Sequence, residues 1–320
     1  MTRSMSDVGA SSSAGTATSA STCVKKDGSA FTIAFVPGTT GDPFYITMHS
    51  GVVARAKELG VNLIYQGNAD WDVAKQVPLL DSLLVRKPDA LLLVPNDVKV
   101  LEPSVKHFVD AGIPVITVHN TIEDATLLTG RVTSNNEQGG ALAADQLAKL
   151  AGKTGKVALI DVGPGNSTTD ARAKGFMDEL KKYPNMQLVA HEYNQNSATK
   201  AAAQTSSILL GNPDLVGIFG DNLASAEGAA NGVASSGSKV PAVGYDASPS
   251  EVKLLKAGTI DALVIQPPAE EGTTAMDIAC AALTGKTFNK EVVLKNVIAT
   301  SDNMNDPEIS KYFYIEAFNG

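Results

Sequence analysis

The sequence predicts an α/β protein of two tandem lobes, each built on a parallel sheet covered by helices. Three observations predict it. Apolar runs of strand length alternate with helix-period segments along almost the whole chain. Several of those runs stop abruptly in polar side chains: Pro114-Val115-Ile116-Thr117-Val118 ends in His119-Asn120, Leu215-Val216-Gly217-Ile218-Phe219 in Gly220-Asp221-Asn222, Pro241-Ala242-Val243-Gly244-Tyr245 in Asp246, and Asp261-Ala262-Leu263-Val264-Ile265 in Gln266. The 320 residues supply about two domains of ordinary size. Continuous apolar runs read as strands buried on both faces. In open α/β sheets guests sit beyond the carboxyl ends of the strands. The polar tips therefore point to a crevice for a small polar molecule.

In order, a strand at 31–36 runs into Gly41-Asp42-Pro43-Phe44-Tyr45. Residues 49–59 are amphipathic and stop at Gly60, a helix-ending signal. Strand 62–65, helix 73–86 with Pro88 beyond it, strand 90–94, helix 100–110 closed by Gly112, and strand 115–118 complete a first round. A second begins after Ser134-Asn135-Asn136: helix 137–150, strand 156–162, helix 169–183, strand 188–193, helix 198–210, strand 215–219, helix 224–234, strand 242–245, helix 249–256 and strand 262–265. Helix 270–283 and a strand-like stretch at 291–298 follow. This βα rhythm predicts parallel sheets covered on both faces. The two rounds share a rhythm of elements without a close sequence repeat.

Composition narrows the function. With 43% hydrophobic residues the chain can build a sizeable core without metal or disulfide support. A net charge of −8 and 5% aromatics argue against a nucleic-acid surface. No stretch reaches the ~18 consecutive apolar residues of a membrane span. The N-terminus lacks the apolar core of a signal peptide, so an exported native protein would have had its signal removed or trimmed. Residues 1–30 are dominated by Ser, Ala, Thr and Gly and are expected as a disordered tail suited to a tether. Cys23 lies in that tail without a convincing lipobox before it. Cys280 lies in an apolar helical pattern and reads as a buried, inert thiol. The other option, a disulfide between the two, would tie the core to the tail. Neither cysteine sits in a metal-binding cluster.

From Phe31 to about Ile298 the chain resembles the periplasmic sugar-binding protein family, in its ribose-binding-like group. The resemblance rests on ordered segments: Gly41-Asp42-Pro43-Phe44-Tyr45, Ala111-Gly112-Ile113-Pro114-Val115-Ile116-Thr117, Ser134-Asn135-Asn136 with Gly139-Gly140, Arg172 with Gly175-Phe176, Asn212-Pro213-Asp214 leading to Asn222, Gly244-Tyr245-Asp246, and Gln266-Pro267. It implies two Rossmann-like lobes of the type I periplasmic-binding-protein fold, joined by a three-crossing hinge and closing on a ligand. The crossings fall near Ser134, at 266–267 and at 294–296. The lobes are then 31–133 plus 267–294 and 134–266 plus 295–320.

The same resemblance implies the site. Hydroxyl-rich guests both donate and accept, which calls for carboxylates, amides and arginine in a dry crevice with aromatic rings on the C–H faces. Asp42 would accept from a hydroxyl. Phe44 and Tyr45 would flank the guest, or else are core residues opening a helix. His119 and Asn120 stand where this group often carries Asp-Arg; His119 reads either as a contact or as a satisfied strand-end histidine. Asp170 falls on the position of a ligand-binding arginine and Arg172 keeps the second one, but helical geometry sets the pair on different faces. Asn196 matches an often aromatic position, with Gln195 the contact if the register slips by one. Asn222, Asp246 and Gln266 match most directly, the alternative being that they cap backbone groups. Trp71, the single tryptophan, either lines the crevice mouth or staples a helix start.

Rival functions fare worse. Gly152-Lys153-Thr154 imitates the end of a P-loop, but Leu147 stands where the upstream glycine belongs. Gly163-Pro164-Gly165 lacks a third glycine, there is no GxSxG, and His49, His107, His119 and His191 show no metal spacing. A two-lobed repressor would need a helix-turn-helix where the Ser/Ala/Thr tail stands. The expectation is a monomeric, cofactor-free solute-binding protein of an ABC transporter, periplasmic or extracytoplasmic. It would capture a neutral monosaccharide or linear polyol for a membrane permease and bind no nucleic acid. A lipidated N-terminus and a chemotaxis or quorum-sensing receptor role are the variants left open.

Overall fold

The computed structural model describes residues 23–318. In chain order they form β1 (Thr32–Val36), α1 (Pro43–Leu59), β2 (Asn62–Tyr65), α2 (Val73–Val85), β3 (Ala90–Leu93), α3 (Glu102–Asp110), β4 (Val115–Val118), β5 (Gly130–Ser134), α4 (Asn136–Leu150), β6 (Gly155–Asp161), α5 (Ser167–Leu180) and β7 (Met186–Tyr193). Then come α6 (Ala198–Gly211), β8 (Leu215–Gly220), α7 (Leu223–Ser235), β9 (Ala242–Tyr245), α8 (Pro249–Lys256), β10 (Ala262–Ile265), α9 (Pro268–Thr284), β11 (Glu291–Leu294), β12 (Val297–Thr300) and α10 (Pro307–Ser310). They build two six-stranded sheets, ordered β11-β5-β4-β3-β1-β2 and β12-β10-β9-β8-β6-β7. The first is parallel throughout. The second is parallel except at β12, which runs antiparallel to β10. The all-parallel expectation fails there because the chain re-enters the second lobe from the hinge and lies back along the strand that left it.

Helix placement follows local chemistry. Asp42 caps α1 by accepting the Phe44 N–H, and Pro43 occupies the first turn, so α1 begins six residues before the amphipathic pattern suggested. Strand β5 was not anticipated: Gly130-Arg131-Val132-Thr133-Ser134 carries one bulky apolar residue and no clear period. The stretch 291–298 is two strands in two sheets, split at Lys295-Asn296. In each lobe a helix pair meets at glycine. A Cβ on Gly51 would collide with the Ala269 carbonyl where α1 meets α9, and one on Gly140 with the Arg172 carbonyl where α4 meets α5. The second contact sets how close Arg172 comes to the hinge.

The expected disordered tail needs correction at its end; residues 1–22 lie outside the described residues. Cys23 is fully buried and disulfide-bonded to Cys280 of α9, with Cα atoms 5.7 Å apart. Its N–H donates to the Leu59 carbonyl, and Val24 bridges Ala30 across a turn. Cys280 is thus no free thiol. The tail ends as a segment bonded to the core, a constraint that composition does not register. Cross-linking residues 257 apart in sequence restricts the unfolded chain strongly. Cys280→Ser should therefore lower unfolding stability by about 2–4 kcal/mol. Urea titrations of this variant and of the oxidised and reduced wild-type chain check it; superimposable curves would contradict the bond.

Candidate functional site

The carboxyl ends of both sheets face one cavity of about 300 Å³. Asp42, Phe44, Tyr45, His119 and Asn120 line it from the first lobe, and Arg172, Asn196, Asn222, Asp246 and Gln266 from the second lobe and the hinge. Asp170 does not join them. It is exposed, and its carboxylate accepts the Gly165 N–H at 3.0 Å. Two helix positions separate it from Arg172, and only Arg172 turns inward. Gln195 is also outside, accepting from Lys200 Nζ at 3.2 Å.

Arg172 is the best-held cation in the cavity. It is 2% exposed, and its guanidinium lies 3.9 Å from the centroid of the Tyr245 ring. Nε donates to Asn136 Oδ1 and Nη1 to the Asp221 carbonyl, both at 2.9 Å. Nη2 is buried without a partner in the protein. Burial works against the charge, but Tyr245, Asp246 and Asp221 outweigh it and hold the guanidinium protonated. Beneath it, burial and the neighbouring Asp161 push Asp221 well above the usual carboxylate range. Burial also acts to raise Asp161, yet bonds from His191, Asp221 and the Gly163 N–H keep it below its ordinary value. The two neighbouring carboxyls are thus driven in opposite directions.

Asp246 is fixed on three sides. Oδ1 accepts from Gln266 Nε2 at 2.7 Å and from the Tyr314 hydroxyl at 3.0 Å, and Oδ2 from the Leu223 N–H at 3.2 Å. Gln266 in turn accepts from Ser134 Oγ at 2.6 Å. Asn222 is both cap and lining: Oδ1 accepts from Ser225 N–H and Oγ while Nδ2 donates to Asn196 Oδ1 at 2.7 Å. Across the cleft, burial pushes the Asp42 carboxyl up to about 6; the Phe44 N–H bond opposes this, and the charges of Asp246 and Glu227 add to it. His119, Asn196 and Asp246 all hold left-handed backbone angles (φ 65°, 58° and 89°), strain of the kind that gathers at binding sites.

The aromatic wall resolves two alternatives. Phe44 and Tyr45 open α1 and also line the cavity, their rings edge to face at 5.1 Å, with the Phe44 ring 4.4 Å from His119. Trp71 stacks on Tyr45 at 6.2 Å and lines the cavity. A staple there would need an apolar residue in place of Gln76, whose amide instead donates to the Val94 carbonyl. Asn120 donates to the Pro95 carbonyl and accepts from Thr168 Oγ1 at 3.2 Å, a direct bond between lobes. His119 Nδ1 lies 3.4 Å from Glu271 Oε2, a carboxylate with no exposure.

Sequence reasoning missed Thr39, Asn166, Thr168, Thr169 and Leu223, which also line the cavity. Asn166 caps α5 through the Thr168 and Thr169 N–H groups. That cap, following the polar end of β6, was the available signal.

A family profile described as a periplasmic binding protein domain matches residues 33–287. The ribose import binding protein of Bacillus subtilis (strain 168) is 30% identical over 262 residues, covering 82% of this chain and 85% of that protein. The structure of an ABC transporter solute-binding protein from Agrobacterium vitis, bound with α-D-tagatopyranose, superposes with a TM-score of 0.86 at 39% identity, covering 89% of this chain and 99% of that one. A second Agrobacterium vitis solute-binding protein, with bound D-fucose, gives a TM-score of 0.83 at 28% identity, covering 88% and 100%. With a two-lobed fold, a cleft at the strand ends and a profile match over most of its length, this chain belongs to the periplasmic binding protein family.

Proposed function

We propose that this protein is the solute-binding component of an ABC importer for a neutral monosaccharide in its ring form. The observation that carries the reading is one cavity lined together by Arg172, Asp246, Asp42 and three aromatic rings. A ring sugar offers hydroxyls to the polar groups and C–H faces to the rings. The cavity volume lies at the small end of ligand pockets, which run from about 300 to 1,000 Å³, so it suits one sugar unit. The tagatopyranose in the neighbour favours a ring over a linear polyol. With Asp170 outside, Asp42 and Asp246 face one arginine, an acid excess that disfavours an anionic guest.

The lobes are taken as 31–133 plus 267–294 and 134–266 plus 295–320, a division supported by the strands each sheet contains. The protein acts as a monomer outside the cytoplasmic membrane, catalyses no reaction, binds no nucleic acid and delivers its guest to a membrane permease. Relatives named as import binding proteins favour transport over a sensing role. A lipid tether on Cys23 is not part of this reading, since the Cys23 sulfur is bonded to Cys280.

Capture works by population shift. Direct lobe-to-lobe bonds include Asn120–Thr168 and the Thr121 N–H to Ser167 Oγ at 3.3 Å. A guest held by Asp42 from one side and by Arg172 and Asp246 from the other adds contacts that only the closed state makes.

D-tagatose, D-fucose, D-ribose, D-arabinose and D-allose should be screened by thermal shift beside tetritols, pentitols and hexitols. At least one ring sugar at millimolar concentration should raise the melting temperature, because stabilisation grows with ligand over Kd. A flat response to every sugar would refute the reading. Asp246→Ala should abolish the shift while the ligand-free circular dichroism spectrum stays that of the wild type.

Asp42 gives a pH signature. Its folded carboxyl binds a proton more tightly than the unfolded chain, so its contribution to stability falls as pH rises from about 4 to about 6. A guest hydroxyl donating to Asp42 favours the ionised form. Affinity should then rise up to roughly tenfold from about pH 5 to about pH 7, with proton release on binding. Calorimetry in buffers of different ionisation enthalpy checks it, and Asp42→Asn should flatten the profile.

A further inference from the structure

The C-terminal segment after α10 reaches both lobes. The Tyr314 N–H donates to the Ala247 carbonyl beside β9, in the second lobe, at 3.0 Å. One residue on, the Ile315 N–H donates to Thr47 Oγ1 on α1, in the first lobe, at 2.9 Å. Farther along, the Phe318 ring meets His49 of α1 edge to face at 5.5 Å. The Tyr314 side chain, 5% exposed, donates its hydroxyl to Asp246 and packs its ring on Phe44 at 5.6 Å. Tyr314 does not itself line the cavity, yet it touches a polar lining residue of one lobe and an aromatic lining residue of the other. It also belongs to an apolar cluster that includes Phe44, Met48 and Met276 of the first lobe and Val252, Leu255 and Leu263 of the second.

We propose that residues 311–318 form a fourth connection between the lobes, and that Tyr314 is the positioning residue that holds Asp246 toward a bound guest and restrains how far the lobes part. The three hinge crossings are covalent and pass the chain from lobe to lobe. The strap is different, because its hold on α1 is a hydrogen bond and two ring contacts. Opening carries α1 away from Ala247, so the strap must release one lobe or limit the swing. When the cleft is closed, the tyrosine hydroxyl leaves Asp246 Oδ1 fully engaged and turns the one remaining lone pair of Oδ2 to the guest. Losing the hydroxyl removes one of the three bonds that fix the carboxylate, loosens it and lets the guest escape sooner.

The test compares the full chain with Tyr314→Phe, with Thr47→Val and with a chain ending at Ser310. The arm with D-tagatose rests on the sugar-binding reading. There, Tyr314→Phe should raise koff by about three- to tenfold with kon little changed, as expected for a lost hydrogen bond to a charged partner. A merely structural tyrosine would lower the melting temperature without that split. Without ligand, small-angle X-ray scattering should give a larger radius of gyration for the shortened chain and for Thr47→Val than for the full chain. An unchanged koff in Tyr314→Phe, or equal radii for full chain and variants, overturns the proposal. Should the shortened chain fail to fold, Thr47→Val decides the scattering arm. If no sugar binds the full chain, the sugar reading falls and the scattering comparison alone decides the strap.

Discussion

The Gln266 amide is the constraint on which the rest of the site depends. It is 1% exposed and stands where the chain leaves β10 for α9, passing from the second lobe to the first. Its carbonyl accepts from Ser134 of the first crossing and its NH2 donates to Asp246 of the site. The third crossing is laced in the same way: Asn296 Nδ2 donates to the Asn135 carbonyl at 2.7 Å, and its N–H donates to Gln138 Oε1 at 3.1 Å. Buried amides of this kind leave little freedom, since an unmade bond costs about 1–3 kcal/mol. The three crossings therefore hold one geometry at their centre, and the orientation of Asp246 is inherited from it. Hinge and binding site are one hydrogen-bonded unit.

That unit explains why a guest can drive closure. The lobes share few direct polar bonds across the cleft, while the groups that face each other across it include two carboxylates and an arginine. Without a guest, burial first and the charge of Asp246 second hold the Asp42 carboxyl above its ordinary value, a cost of keeping both acids in one cleft. A hydroxylated guest supplies donors to both acids at once. The closed state becomes more favourable once those donors are present.

Much of this was legible in the sequence, and the failures have physical causes. Runs such as Val115–Val118 and Ala262–Ile265 are apolar throughout because both sheet faces are covered, so they stand out, and the polar residue after each one lands in the cavity. Strand β5 did not stand out, because Gly130 must be small beneath Ile278 and the strand ends in hinge residues chosen for hydrogen bonding. The split at Lys295-Asn296 was hidden because both sides of the hinge read as strand. Asp170 was misplaced because a one-dimensional match cannot say which face of a helix turns inward. Cys23 was misread because a disulfide is a long-range event in a segment whose local composition favours disorder.

On the sugar-binding reading proposed above, selectivity in this cleft would come from the hydrogen bonds its own residues leave unmade. Several lining amides are held by one another and by their neighbours, each keeping one N–H of its NH2 group: Asn222 on Ser225 and Asn196, Gln266 on Ser134 and Asp246, Asn120 on Pro95 and Thr168. These bonds fix the positions of the side chains. The groups left over include Arg172 Nη2 and Thr169 Oγ1, both buried without partners. An analogue of the guest lacking one hydroxyl leaves a buried donor or acceptor stranded, and a site built this way rejects such analogues far more strongly than an apolar pocket rejects a missing methylene. The paired amides make that discrimination possible, because locked neighbours cannot rotate to rescue a stranded group.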